Sequence, residues 1–130
     1  MEKIDAIVAL AGLAHETRLD IYRLLVEAGP TGIAAGQIGE RLGLAPATLS
    51  FHLNHLRHAG LIDHERNGRS LIYSADFGRM TELVNYLTEN CCGGDPAACG
   101  LPERESSTAV AKSRSRGASR HETPARERRR

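Results

Sequence analysis

The chain has 130 residues, 41% of them hydrophobic, with 17 Lys+Arg against 16 Asp+Glu for a formal net charge of +1; this fits one domain with one small core. No apolar run approaches the roughly 18 residues of a membrane span, and no basic segment followed by an apolar run and cleavage site opens the chain, which reads as not exported. The charge is unevenly divided: residues 1–100 carry 8 basic and 12 acidic side chains, net −4, and residues 101–130 carry 9 and 4, net +5, the mark of a tail.

Ile4, Ile7, Val8 and Ala11 fall at i, i+3, i+4, i+7, one face of a first helix. Ile21, Leu24, Leu25 and Ala28 repeat the spacing, and Leu19, Tyr22 and Val26 widen the apolar surface of a central second helix. Gly29-Pro30 ends it. Ala35, Ile38 and Leu42 predict a short third helix over about 35–42, followed by a turn from Gly43 to Pro46. Pro46 suits the first position of a fourth helix. That helix carries Leu49, Leu53 and Leu56 inward until Gly60. Leu61-Ile62 and Leu71-Ile72-Tyr73 flank Asn67-Gly68, the signature of a two-residue hairpin turn. Asp76 can cap a last helix with a Met80, Leu83, Val84, Leu87 stripe, ended by Gly93-Gly94. From Leu101 onward there is neither periodicity nor an aromatic residue, so residues 101–130 read as a disordered basic tail. Periodicity alone gives a small, mainly α domain with a β-hairpin. The order of elements matches a winged helix-turn-helix, the hairpin being the wing.

With the fourth helix's leucines turned inward, Thr48, Ser50, Phe51, His52, Asn54, His55, Arg57 and His58 are expected to face outward. Hydroxyls, an amide and imidazoles can bond base edges, and Arg57 can neutralise a phosphate. The N-terminal part of such a helix meets the bases, so Thr48, Ser50, Phe51, His52 and Asn54 are the expected base readers of double-stranded DNA. Arg66 and Arg69 are expected to face each other across the hairpin, an arrangement that repels unless the tip meets phosphate. A zinc site among His52, His55 and His58 is the weaker reading, since no carboxylate or thiol is near them in sequence.

Three cysteines, Cys91, Cys92 and Cys99, crowd among Gly, Asp and Pro in a segment that cannot be core. An odd number makes a poor disulfide framework and a better ligand set in a reduced, cytoplasmic compartment. Three thiolates suit a soft ion. Zinc wants four ligands, whereas As(III) and Sb(III) carry a lone pair and want three sulfurs; Asp95 or a histidine could still complete a zinc set. Adjacent helical residues point about 100° apart, so Cys91 and Cys92 converge on one ion only if the helix end unwinds. No nucleophile, paired-carboxylate or phosphate-loop constellation suggests an enzyme.

Residues 13–21, Leu-Ala-His-Glu-Thr-Arg-Leu-Asp-Ile, and residues 47–62, from Ala47 to Ile62, resemble the second-helix signature and recognition helix of the ArsR/SmtB family of metal-responsive repressors. The resemblance covers about residues 3–92. It implies a homodimer built from the first and last helices, and repression of operator DNA that metal relieves. Residues 34–44 lack the family's cysteine pair, and residues 77–90 lack the His and Asp of its last-helix zinc site. What remains is similar to arsenic sensors with a cysteine pair after the last helix and a third thiol downstream, a pattern that Cys91, Cys92 and Cys99 match. Ala45 stands where relatives often have a capping Ser. The expected organisation is a DNA-binding and dimerisation domain over 1–92, a thiol segment over 91–100 and the tail over 101–130. The alternative inducers at the same cysteines are Zn, Cd or oxidation.

Overall fold

The computed structural model describes residues 1–95, 98 and 100. The chain divides into two units, Met1–Tyr86 and Leu87–Arg130. The expected tail lies outside the described residues.

In the first unit, α1 (Lys3–Leu13) starts where the Glu2 amide donates to the Asp5 carboxylate at 3.2 Å. Its buried face is Ala6, Ala9 and Gly12. Small residues bring the helix close: a Cβ at Gly12 would sit 2.8 Å from the Ala59 Cβ. The bulkier stripe lies on the other side of the helix. Ile4 is 68% exposed, and Ile7, Val8 and Leu10 are exposed beside it. The periodicity was right for a helix, but its bulky side lies away from the chain's own core.

Helix α2 (Glu16–Ala28) buries Arg18, Ile21, Tyr22 and Leu25, whereas Leu19 is exposed. Gly29 terminates it, its N–H donating to the Leu25 carbonyl. A two-residue strand that the sequence did not suggest, β1 (Ile33–Ala34), precedes α3 (Ala35–Leu42). After the turn at Gly43, α4 (Pro46–His58) begins with proline in its first turn and no side-chain cap at Ala45. Proline loses nothing there, since the first N–H groups of a helix have no intrahelical partner. Leu49, Leu53 and Leu56 are buried as expected.

The hairpin is β2 (Ile62–Asn67) and β3 (Ser70–Ala75), and the three-stranded antiparallel sheet has the order β1-β3-β2. Leu61 and Ile62 bury the base of β2, and Tyr73 and Ala75 that of β3. Asp76 accepts from the Arg79 N–H at 3.0 Å and caps α5 (Phe77–Leu87). Leu83 is buried, while Val84 and Leu87 of the same stripe are exposed. Helix α5 stops at Leu87, well before the Gly93-Gly94 expected to end it. Ile21, Leu25, Ile38, Leu53, Leu56 and Leu61 are the largest fully buried side chains, so α2, α3, α4 and the hairpin base share one core.

Candidate nucleic-acid interface and thiol site

On α4, Thr48, Ser50, Phe51 and Asn54 are exposed together with His55 and His58, and Arg57 is half-buried. The face therefore offers two hydroxyls and an amide on its first turns and cationic or ionisable groups toward its end. Phe51 is 64% exposed, an unusual position for an aromatic ring. Its edge meets the His52 ring (centroids 5.3 Å, 69°) and the His55 ring (6.4 Å, 88°).

His52 was expected to face outward with these residues, but only 6% of it is exposed. It lies three residues after Leu49 and four before Leu56, and side chains at that spacing share a helix face. Its ring packs on His15 at 4.7 Å between centroids, and its Nδ1 is buried with no hydrogen-bond partner. Burial first, then the proximity of His15, Arg18 and His55, holds its imidazole below the ordinary histidine value. The group is therefore neutral near pH 7.

Two residues around it carry weight that the sequence reading missed. Arg18 is buried, its Nε donating to the Gly12 carbonyl at 2.7 Å and a terminal nitrogen donating to the Ala11 carbonyl at 3.3 Å. These carbonyls end α1, where acceptors are unsatisfied and the helix dipole is negative. His15 accepts the Thr17 N–H on its Nδ1 at 3.1 Å and caps α2. The available signal was spacing: Arg18, Ile21, Tyr22 and Leu25 fall on one face, so Arg18 had to be buried if that face was.

The wing differs by one residue from the expected register. Asn67 pairs with Ser70 and Arg66 with Leu71, so the two-residue loop is Gly68-Arg69 rather than Asn67-Gly68. Gly68 has φ 65°, and glycine at the first loop position supplies the positive φ that other residues resist. Arg66 and Arg69 consequently do not oppose each other, and the expected like-charge repulsion is absent. Both are exposed, Arg69 at the tip. Inside the wing, His64 stacks on Tyr73 (5.2 Å, 16°).

In the second unit, Cys91–Gly94 form a single 3-10 turn. Asn90 and Cys92 have φ of 58° and 54°, a left-handed conformation uncommon in non-glycine residues. The backbone has thus left helical geometry, as convergence of adjacent cysteines requires. The two Sγ atoms lie 3.6 Å apart, and Cys92 is exposed. Two sulfurs each about 2.3 Å from a shared ion would lie roughly 3.5–3.8 Å apart, so the pair suits two ligands of one soft ion. Cys99 lies outside the described residues. Among the described residues, no group of three His, Cys, Asp or Glu side chains is placed to hold a metal. The His52, His55, His58 reading therefore has no support, and among the described residues no helix is long and apolar enough to cross a membrane.

Four packed helices, a tight turn before α4 and a hairpin after it define a winged helix-turn-helix. A helix-turn-helix domain model matches residues 13–65. The transcriptional activator HlyU of Vibrio cholerae is 33% identical over 92 residues, covering 67% of this chain and 82% of that protein. The regulator YgaV of Escherichia coli is 35% identical over 88 residues, covering 68% and 87%. The solved structure of Vibrio cholerae HlyU superimposes with a TM-score of 0.56 at 29% identity, covering 71% of this chain and 99% of that one. The chain belongs to the ArsR/SmtB family of helix-turn-helix transcriptional regulators. These relatives are regulators of transcription, not enzymes.

Proposed function

We propose that the protein is a cytoplasmic repressor that binds operator DNA as a homodimer and is released by As(III) or Sb(III) at Cys91, Cys92 and Cys99. The observation that carries the metalloid reading is the Cys91–Cys92 pair, 3.6 Å apart on backbone that has already left the helix. The DNA reading rests on the exposed α4 face with Thr48, Ser50, Phe51, Asn54 and Arg57, and on the wing's Arg66 and Arg69. A Mycobacterium bovis domain of the same fold, with a TM-score of 0.53, is described as homodimeric and DNA-binding. Here the exposed Ile4, Ile7, Val8 and Leu10 of α1 supply an apolar face for a second copy.

A dimer of this kind places two recognition helices in successive major grooves, about 34 Å apart. Thiolates at Cys91, Cys92 and Cys99 hold the inducer, and gathering all three onto one centre reorders the segment that continues from α5. Release follows only if the metalloid-bound form favours the wrong groove spacing, and a coupling of about 1–3 kcal/mol is typical.

Fluorescence anisotropy on the duplex upstream of the protein's own gene tests this. Cys92→Ser and Cys99→Ser should bind DNA like the wild type and stay bound when arsenite is added. Normal release from both variants would refute the three-thiol site. The adjacent thiols also support a second reading, control by oxidation or by Zn or Cd at the same residues. DNA release by peroxide or zinc, but not by arsenite, would favour it.

A further inference from the structure

His52 stands out among the buried groups, because it lies on α4, among the exposed residues read as DNA contacts, yet is itself turned into the protein. Its ring sits against the junction of α1 and α2, packed on His15 and 6% exposed. The cluster around it is cationic or ionisable to base: His15 at the junction, Arg18 on α2 and His55 on α4 itself. Arg18 is committed to the Gly12 and Ala11 carbonyls. His15 has its Nδ1 occupied by the Thr17 N–H. The His52 Nδ1 has no acceptor, so a proton placed there would create a buried cation without a partner, beside a guanidinium already in use. Buried unpaired charge is among the costliest states a side chain can adopt.

We infer that His52 is a positioning residue for DNA binding: uncharged, it seats α4 against the α1–α2 junction, and a proton on it unseats the helix and weakens the grip on DNA. The inference rests on the reading of α4 as the DNA-contacting helix.

The sign follows from the direction of the shift. Above about pH 6.5, the ordinary histidine value, the imidazole is neutral in both the folded and unfolded chain, and the seat contributes fully. As pH falls below that, the unfolded chain takes up the proton first, and the seat's contribution is lost progressively down to the lower folded value.

The experiment measures Kd for the upstream duplex from pH 7.5 to 5.5, at fixed salt, for the full-length wild type and for His52→Gln. Glutamine keeps a polar side chain of similar reach and cannot take the proton. The ratio of wild-type to variant Kd should grow by about fivefold or more as pH falls, the low end of coupling between two sites. Parallel curves would overturn the inference, because a merely structural role for His52 shifts Kd equally at every pH. Ring titration of the wild type by NMR covers a variant that fails to fold, or a duplex that is not bound. His52 should titrate below the ordinary histidine value, with the α4 amide signals moving in step. A His52 midpoint at or above that ordinary value, or unmoved α4 amides, would sink the inference. Failure of DNA binding at every pH would instead count against the proposed function.

Discussion

Helices α1 and α4 bury opposite kinds of residue. α1 turns Ala6, Ala9 and Gly12 inward and leaves Ile4, Ile7, Val8 and Leu10 outside. α4 turns Leu49, Leu53 and Leu56 inward and shows Thr48, Ser50 and Asn54 to the surroundings. Both obey a helical period. The stripe on α4 seals the core, so its polar face is left over for a ligand. The inner face of α1 is nearly backbone, so its close approach comes from lack of bulk and its bulk is left over for a partner. An apolar stripe shows that a surface will be covered; it does not say by which molecule.

The contrast can be broken from either side. Leu53→Ala empties the shared core and should cost about 2–5 kcal/mol, read as a lowered urea midpoint. A loss under 1 kcal/mol would mean that the α4 stripe is not the seal. Gly12→Ala sets two effects against each other. Helix propensity favours alanine by about 1 kcal/mol, but the new Cβ would meet Ala59 at 2.8 Å, and overpacking costs about 1–3 kcal/mol. The clash is backbone-close and not at the end of a flexible chain, so a net loss of about 1 kcal/mol is expected in the same denaturation assay. A gain in stability would show that α1 can drift outward. Ile7→Ser, on the outer face, should change protomer stability by no more than about 0.5 kcal/mol. It should instead shift sedimentation toward the monomer and remove the concentration dependence of the melting temperature. An unchanged dimer would place the partner elsewhere.

Much of this was legible because local chemistry agreed with packing. Pro46 marked the start of α4, Asp76 capped α5, and the α3 bounds were read as they stand. The misread parts share a cause: a residue type was allowed to outvote its position. His52 was placed outside for being polar, although its spacing from Leu49 and Leu56 put it on the buried face. Asn67-Gly68 outweighed the register that pairs Asn67 with Ser70. Nothing local announced β1, whose two residues are strand only because β3 lies beside them, Ile33 opposite Tyr73. The end of α5 was obscured because the left-handed turn at Asn90 and Cys92 uses residues that do not advertise it.

All three cysteines follow Tyr86, so the unit carrying α4 and the wing contains no sulfhydryl at all. A maleimide dye or spin label added to the intact chain can therefore attach only at Cys91, Cys92 or Cys99. Any change in DNA affinity that such a reagent produces starts outside the unit that carries α4 and the wing. The chain thus carries its own selective handle, with no engineered cysteine.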